Sequence, residues 1–195
     1  MRLTKGGPFL CLLSAATIRA MSTAGSGAGG TFLFGPHLCK FSQVFYESTL
    51  SICFVNIKPI LPGHVLVTPK RVCARFSDLT GEEVTDLWAT VHRIGPVLER
   101  HFGCEALNLA IQDGKASGQS VPHVHVHVLP RKPGDLKRND DIYEELERQN
   151  LGDSLTPGAD PDAERKPRTE EMMAAEADEL RALFEPPDSA PRSSL

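Results

Sequence analysis

The chain lacks the marks of several large classes of protein. No apolar run approaches the roughly 20 residues of a membrane-spanning helix, so no membrane partner is expected. There is no basic excess either: 21 Lys and Arg stand against 25 Asp and Glu, for a net charge of −4. A dedicated duplex nucleic-acid binder would be strongly basic, which argues against that class; a small anionic ligand needs only a local pocket. Cys-x-x-Cys pairs are absent. The five cysteines (Cys11, Cys39, Cys53, Cys73, Cys104) are scattered and odd in number. They read as small apolar residues in a reducing compartment, not as a disulfide or zinc framework. No internal repeat is visible.

Acidic residues are missing from the start of the chain: none precedes Glu47. Residues 1–30 carry only Arg2, Lys5 and Arg19 as charges, with a short apolar patch at 9–13 and a Gly/Ser/Ala run at 22–30. Residues 1–20 fit a mitochondrial or plastid transit peptide; equally, they fit a dispensable extension before an alternative start at Met21, with a cytoplasmic protein. Both readings place 1–30 outside the fold.

What the sequence does have is a row of histidines. From Val121 to Pro130, His123, His125 and His127 alternate with Val124, Val126 and Val128, the period-two pattern of a strand buried on one face. The valines are expected in the core and the imidazoles on the other side, neighbours roughly 6.6 Å apart. Packing alone explains such a row poorly, since like rings in register crowd one another. The row reads as a functional site.

Other elements frame it. Residues 32–34, 43–47, 51–57 and 64–68 read as strands, the last two as a hairpin around Pro59 and Pro62. His64, at the mouth of its strand, is either a surface turn residue or a site residue brought to the row by pairing. Thr80 and Glu83 form a capping box for a helix striped with Val84, Leu87, Trp88, Val91, Ile94, Leu98 and Phe102. Trp88 is read as core, and Pro96 predicts a kink or an early end. A strand over 106–112 then enters a polar loop, 113–120, which serves as a plain connection or as a cradle of N–H groups for phosphate oxygens. Beyond the row, a short helix is expected over 142–149, a disordered connector over 150–168, a helix capped by Thr169 over 169–184, and a tail over 185–195. The fold class is α+β: about five antiparallel strands with two packed helices, in one domain spanning 31–149 plus the last helix.

Three histidines on one strand face suit two kinds of chemistry. Two of them can share a metal ion, although all three span roughly 13 Å, too wide for one ion. Alternatively a neutral imidazole attacks phosphorus and becomes a nucleotidyl-histidine, with its neighbours orienting it and assisting proton transfer.

His123-Val124-His125-Val126-His127-Val128-Leu129 fits the His-φ-His-φ-His-φ-φ motif and resembles the histidine triad superfamily of nucleotide hydrolases and transferases. Phe34-Gly35-Pro36-His37, Val55-Asn56, Pro62-Gly63-His64-Val65-Leu66, Gln112-Asp113-Gly114, Gly118-Gln119-Ser120-Val121 and the stretch from Arg138 to Leu146 look like its fragile histidine triad branch, the diadenosine triphosphate hydrolases. His127 separates the chain from nucleotidyltransferase relatives, which carry glutamine there. The continuation through Arg131 and Lys132 to Tyr143 separates it from the phosphoramidate-hydrolysing branch. Pro36, Pro96 and Pro122 depart from the pattern without removing a catalytic group.

The resemblance implies a hydrolase releasing AMP and ADP from diadenosine triphosphate, with adenylyl sulfate and adenylyl phosphoramidates as further substrates. His125 would be the nucleophile. His127 would contact the phosphates and assist proton transfer, with His123 and His64 in support. His37 and Asn56 would hold the nucleoside; Gln112, Gly118, Gln119, Ser120 and Val121 would hold phosphate oxygens. The resemblance also implies magnesium or manganese on the substrate phosphates, no tightly held cofactor or protein metal cage, and a homodimer with a continuous sheet. A different reading is a nucleotide-binding signalling protein whose substrate complex is the active species, with Tyr143, among acidic residues, as a phosphorylation target.

Overall fold

The computed structural model describes residues 29–150 and 167–184. Alternation builds the sheet. In β4 (Ser51–Val55) and β5 (Val65–Pro69), Cys53, Val55, Val65 and Val67 face one way, while Ile52, Phe54 and Leu66 face the other. With β3 (Val44–Glu47), β6 (Ala106–Ala110) and β7 (Val126–Arg131) they form a five-stranded antiparallel sheet in the order β3-β4-β5-β7-β6. A separate hairpin pairs β1 (Thr31–Phe34) with β2 (His37–Lys40). The second of these strands was not foreseen, because its side chains are short of buried positions that would mark a period.

The helix α1 (Gly81–Phe102) lies on the valine face. Its start is fixed as predicted: the Glu83 N–H donates to Thr80 Oγ1 at 3.2 Å, and the Thr80 N–H donates back to the Glu83 carboxylate at 2.9 Å. Arg71 adds a two-pronged bond to that carboxylate. The guanidinium, with the Thr80 N–H, holds the Glu83 carboxyl down at about 2. Leu87, Ile94 and Leu98 are fully buried below the helix, each contributing roughly 1.5–3 kcal/mol relative to exposure.

Two expectations for this helix are corrected. It does not end early at Pro96 but runs through to Phe102. Both Pro96 and His92, whose carbonyl loses its donor, are exposed, so water can replace the missing N–H. Trp88 is not core either: it is 38% exposed, one step of roughly 100° round from buried Leu87.

The short helix after β7 is α2 (Asp141–Asn150). The last helix, α3 (Glu170–Ala182), is capped by Thr169 as expected and buries Met173, Ala177 and Leu180 beside α1. Phe184 packs on Phe45 and Tyr46. The leader through residue 28, the connector over 151–166 and the tail from 185 lie outside the described residues. At the edges of those stretches, Gly30 already accepts from the Phe41 N–H at 2.9 Å, and the Arg168 N–H donates to the Ile57 carbonyl at 2.9 Å. Among the described residues, no helix is long and apolar enough to cross a membrane.

Candidate active site

The histidines occupy the sheet face opposite α1. Only His127 sits in a regular ladder, opposite Leu66 on β5 and Ala110 on β6. The strand predicted from Val121 begins instead at Val126. Pro122 has no N–H, the His123 N–H turns back to the Val121 carbonyl, and the Val124 N–H reaches the Cys73 carbonyl beyond β5. Thr68 then closes the gap by side chain, its hydroxyl donating to the Val124 carbonyl at 2.7 Å. The valine-in, histidine-out alternation survives outside the ladder because these bonds hold the lead-in extended. Ring centroids of His125 and His127 stand 4.9 Å apart.

Hydrogen-bond partners assign each ring proton. The Gly35 N–H donates to His123 Nδ1 at 3.1 Å, so His123 carries its proton on Nε2, which faces the Arg71 carbonyl at 3.2 Å. The Nδ1 of His125 lies 2.7 Å from the His123 carbonyl and must donate to it. The lone pair of neutral His125 is therefore on Nε2. The Ile60 N–H donates to His64 Nδ1 at 3.2 Å, placing the His64 proton on Nε2, 3.0 Å from His127 Nδ1. His127 accepts there and keeps its own proton on Nε2, a buried atom with no partner.

Asn56 Nδ2 also lies 3.3 Å from His64 Nε2. Both atoms carry hydrogen in this arrangement, because Asn56 Oδ1 is turned to the Lys58 N–H at 2.9 Å. The shorter contact to His127 takes the His64 proton.

Burial keeps the row neutral. Desolvation pulls His125 below its ordinary range, against the bond to the His123 carbonyl. His127 is pushed well below, by burial first and then by His125 and His64. Desolvation also lowers His123. The site thus sets a lone pair on His125 beside an unpartnered N–H on His127: a nucleophile next to a hydrogen-bond donor.

The polar loop joins β6 to the lead-in of β7, and the two strands pair antiparallel. Asp113 clasps it to the segment after β5, accepting from Arg75 Nε at 3.0 Å and from the Phe76 N–H at 2.8 Å; these bonds, Arg75 first, hold its carboxyl below the usual range. Gln119 has both ends of its amide engaged: its oxygen accepts from the Gly114 N–H inside the loop, and its nitrogen donates to the Ala74 carbonyl in the segment after β5, each at 2.9 Å. Its side chain fixes the loop's shape. Val121 packs with Phe32, Phe34 and Phe54, leaving Gly118 half-buried and Ser120 exposed at the rim. Gln112 is half-buried just past the end of β6.

His64, His123, His125 and His127 are thus brought together, with Asn56 beside them. His37 stands exposed on β2 opposite Phe34, and Tyr143 is 58% exposed on α2. The sequence reading missed Phe34, whose ring meets His125 edge-on at 5.1 Å, and the apolar floor of Phe32, Phe54 and Leu66 behind it. The Phe-Leu-Phe alternation at 32–34 was the available signal. Among the described residues, no group of three or more His, Cys, Asp or Glu could hold a metal ion.

The histidine triad (HIT) domain model matches residues 40–134. A Dictyostelium discoideum protein named bis(5'-adenosyl)-triphosphatase is 48% identical over 155 residues, covering 80% of this chain and 94% of that one. An Arabidopsis thaliana protein named bifunctional bis(5'-adenosyl)-triphosphatase/adenylylsulfatase FHIT is 44% identical, covering 82% and 88%. A Schizosaccharomyces pombe protein at 47% identity, covering 73% and 89%, is named for the asymmetrical tetraphosphatase activity instead. The crystal structure of Caenorhabditis elegans NitFhit aligns with TM-score 0.63 at 35% identity, covering 82% of this chain and 31% of NitFhit, so the chain spans about a third of that protein. The chain belongs to the histidine triad family, in its fragile histidine triad branch.

Proposed function

We propose that the protein hydrolyses dinucleoside polyphosphates, diadenosine triphosphate first among them, to a nucleoside monophosphate and the remaining nucleotide. The observation that carries this reading is the lone pair on His125 Nε2 set beside the unpartnered N–H of His127. In the proposed sequence His125 Nε2 attacks the α-phosphorus, the bond to the bridging oxygen breaks, and ADP departs as its anion. His127 donates its Nε2–H hydrogen bond to the oxygen on which charge builds. Water then displaces the imidazole, releasing AMP. His123 and His64 hold the tautomers, Asn56 and His37 take the nucleoside, and Phe34 and its neighbours floor the base. Gln112, Gly118 and Ser120 address the phosphates, while Gln119 and Val121 shape the loop. Magnesium or manganese would ride on the polyphosphate oxygens. The relatives' names support both the triphosphate and the tetraphosphate, and the first of these by number of names.

Two displacements at phosphorus give net retention. A chiral phosphorothioate substrate hydrolysed in isotopic water is expected to report retention; inversion would exclude the nucleotidyl-histidine. Competition between the tri- and tetraphosphate, adenylyl sulfate and an adenylyl phosphoramidate ranks the substrates.

Dimerisation fits the open edge of the sheet. Arg181 caps the Val44 carbonyl at the β3 end, whereas β6 is the other outer strand and leaves Leu109 44% exposed. A second copy pairing along β6 would extend the sheet, and light scattering at assay concentration checks it. The signalling reading rests on Tyr143, whose exposure on α2 leaves it open to a kinase.

A further inference from the structure

The helix α3 lies on the valine face, away from the histidines, and after the residues that the family model matches. One residue before its cap, Arg168 reaches round the end of β4. Its Nε donates to the Asn56 carbonyl at 3.0 Å, and a second guanidinium nitrogen, Nη2, donates to the same oxygen. Its backbone N–H donates to the Ile57 carbonyl at 2.9 Å. The remaining nitrogen, Nη1, meets Glu176 on α3 at 2.5 Å, the two side chains being only 14% and 20% exposed. The guanidinium is thus anchored on the helix and forked onto the turn that carries Asn56.

The Asn56 side chain is tied to the same turn, accepting from the Lys58 N–H. Held by its carbonyl on one side and its amide on the other, Asn56 keeps a fixed place beside His64. We infer that Arg168 is a positioning residue for nucleoside binding, acting through Asn56, with Glu176 holding it in place. The inference rests on the proposed contact between Asn56 and the nucleoside. An arginine merely stapling α3 to the sheet would affect melting alone; one that sets Asn56 affects substrate affinity in the folded protein.

The test uses the full chain and diadenosine triphosphate. R168M keeps the length and apolar stem but none of the donors. Its KM is expected to rise about tenfold, the order of a lost charged hydrogen bond, with kcat within about threefold of the parent. R168K, which can reach one carbonyl but not fork, is expected between the two. N56A should raise KM by itself, and N56A/R168M should be no worse than N56A, since the arginine works only through that residue. An unchanged KM in R168M, or additive effects in the double variant, would overturn the inference while leaving the Asn56 reading intact. An unchanged KM in N56A would overturn both. If R168M fails to fold, E176Q carries the comparison: it retains the arginine, weakens its anchor, and should raise KM by about threefold without adding to N56A. No change in E176Q would then count against the inference.

Discussion

His125 and His127 carry their ring protons on opposite nitrogens, and neither ring decides the matter for itself. The His123 carbonyl compels Nδ1–H in His125, and the Ile60 N–H, relayed through His64, compels Nε2–H in His127. Nitrogen NMR on labelled protein near neutral pH is expected to find His125 as the Nδ1–H tautomer and His64, His123 and His127 as Nε2–H. A His125 signal with protonated Nε2 would remove the nucleophile from the proposed mechanism.

Replacing His125 with Asn keeps a polar group and deletes the nitrogen proposed to attack. Turnover is expected to fall by roughly four orders of magnitude or more, with substrate still bound. His127→Asn deletes only the proposed donor to the leaving group and should cost on the order of 10²–10³ in kcat. Single-turnover kinetics with equilibrium binding separates the two effects.

Acid should destabilise the fold through the same rings. Burial lowers His123, His125 and His127 from the ordinary 6.5, so the unfolded chain takes up protons before the folded one does. Stability is therefore fully present above about pH 6.5 and is lost as pH falls from there towards the depressed folded values. Urea midpoints between about pH 7.5 and 5.5 should decline, and His127→Asn should flatten the slope.

Gly63 has a φ of +76°, and a Cβ there would lie 2.5 Å from the Phe102 ring. Gly63→Ala is expected to cost roughly 2–4 kcal/mol, from left-handed backbone strain and overpacking together. Adding Phe102→Ala should give less than the sum of the two single losses, because it removes the clash. Thermal or urea unfolding of the three variants checks this.

Local signals made much of the molecule legible from its sequence. The Thr80–Glu83 box fixed the start of α1 at the predicted residue, Thr169 did the same for α3, and the alternation on either side of Pro59 and Pro62 gave the β4–β5 hairpin. The triad was visible as a row. What escaped depends on who stands opposite whom in space. Pro96 is tolerated because it points to solvent, Trp88 is exposed one step of roughly 100° round the helix from buried Leu87, and Gln119 ties its loop to Ala74 in the segment after β5. The tautomers depend on backbone groups of Gly35 and Ile60, far from the row in sequence. Phe34 reaches His125 only because the β1–β2 hairpin folds against the sheet.

The pairing of β5 with β7 has a consequence for protein quality. Leu66 stands opposite His127 and Val67 opposite Val126. A slip of one residue would turn the valines out and drive three imidazoles into the apolar layer under α1. Unpartnered rings there are costly enough to undo a fold with only a few kcal/mol to spare. The misaligned isomer thus has no stable home, and the alternation acts as a built-in proofreader. Chains that reach the native fold therefore carry the imidazoles on the face opposite α1, and register errors are discarded as unfolded protein.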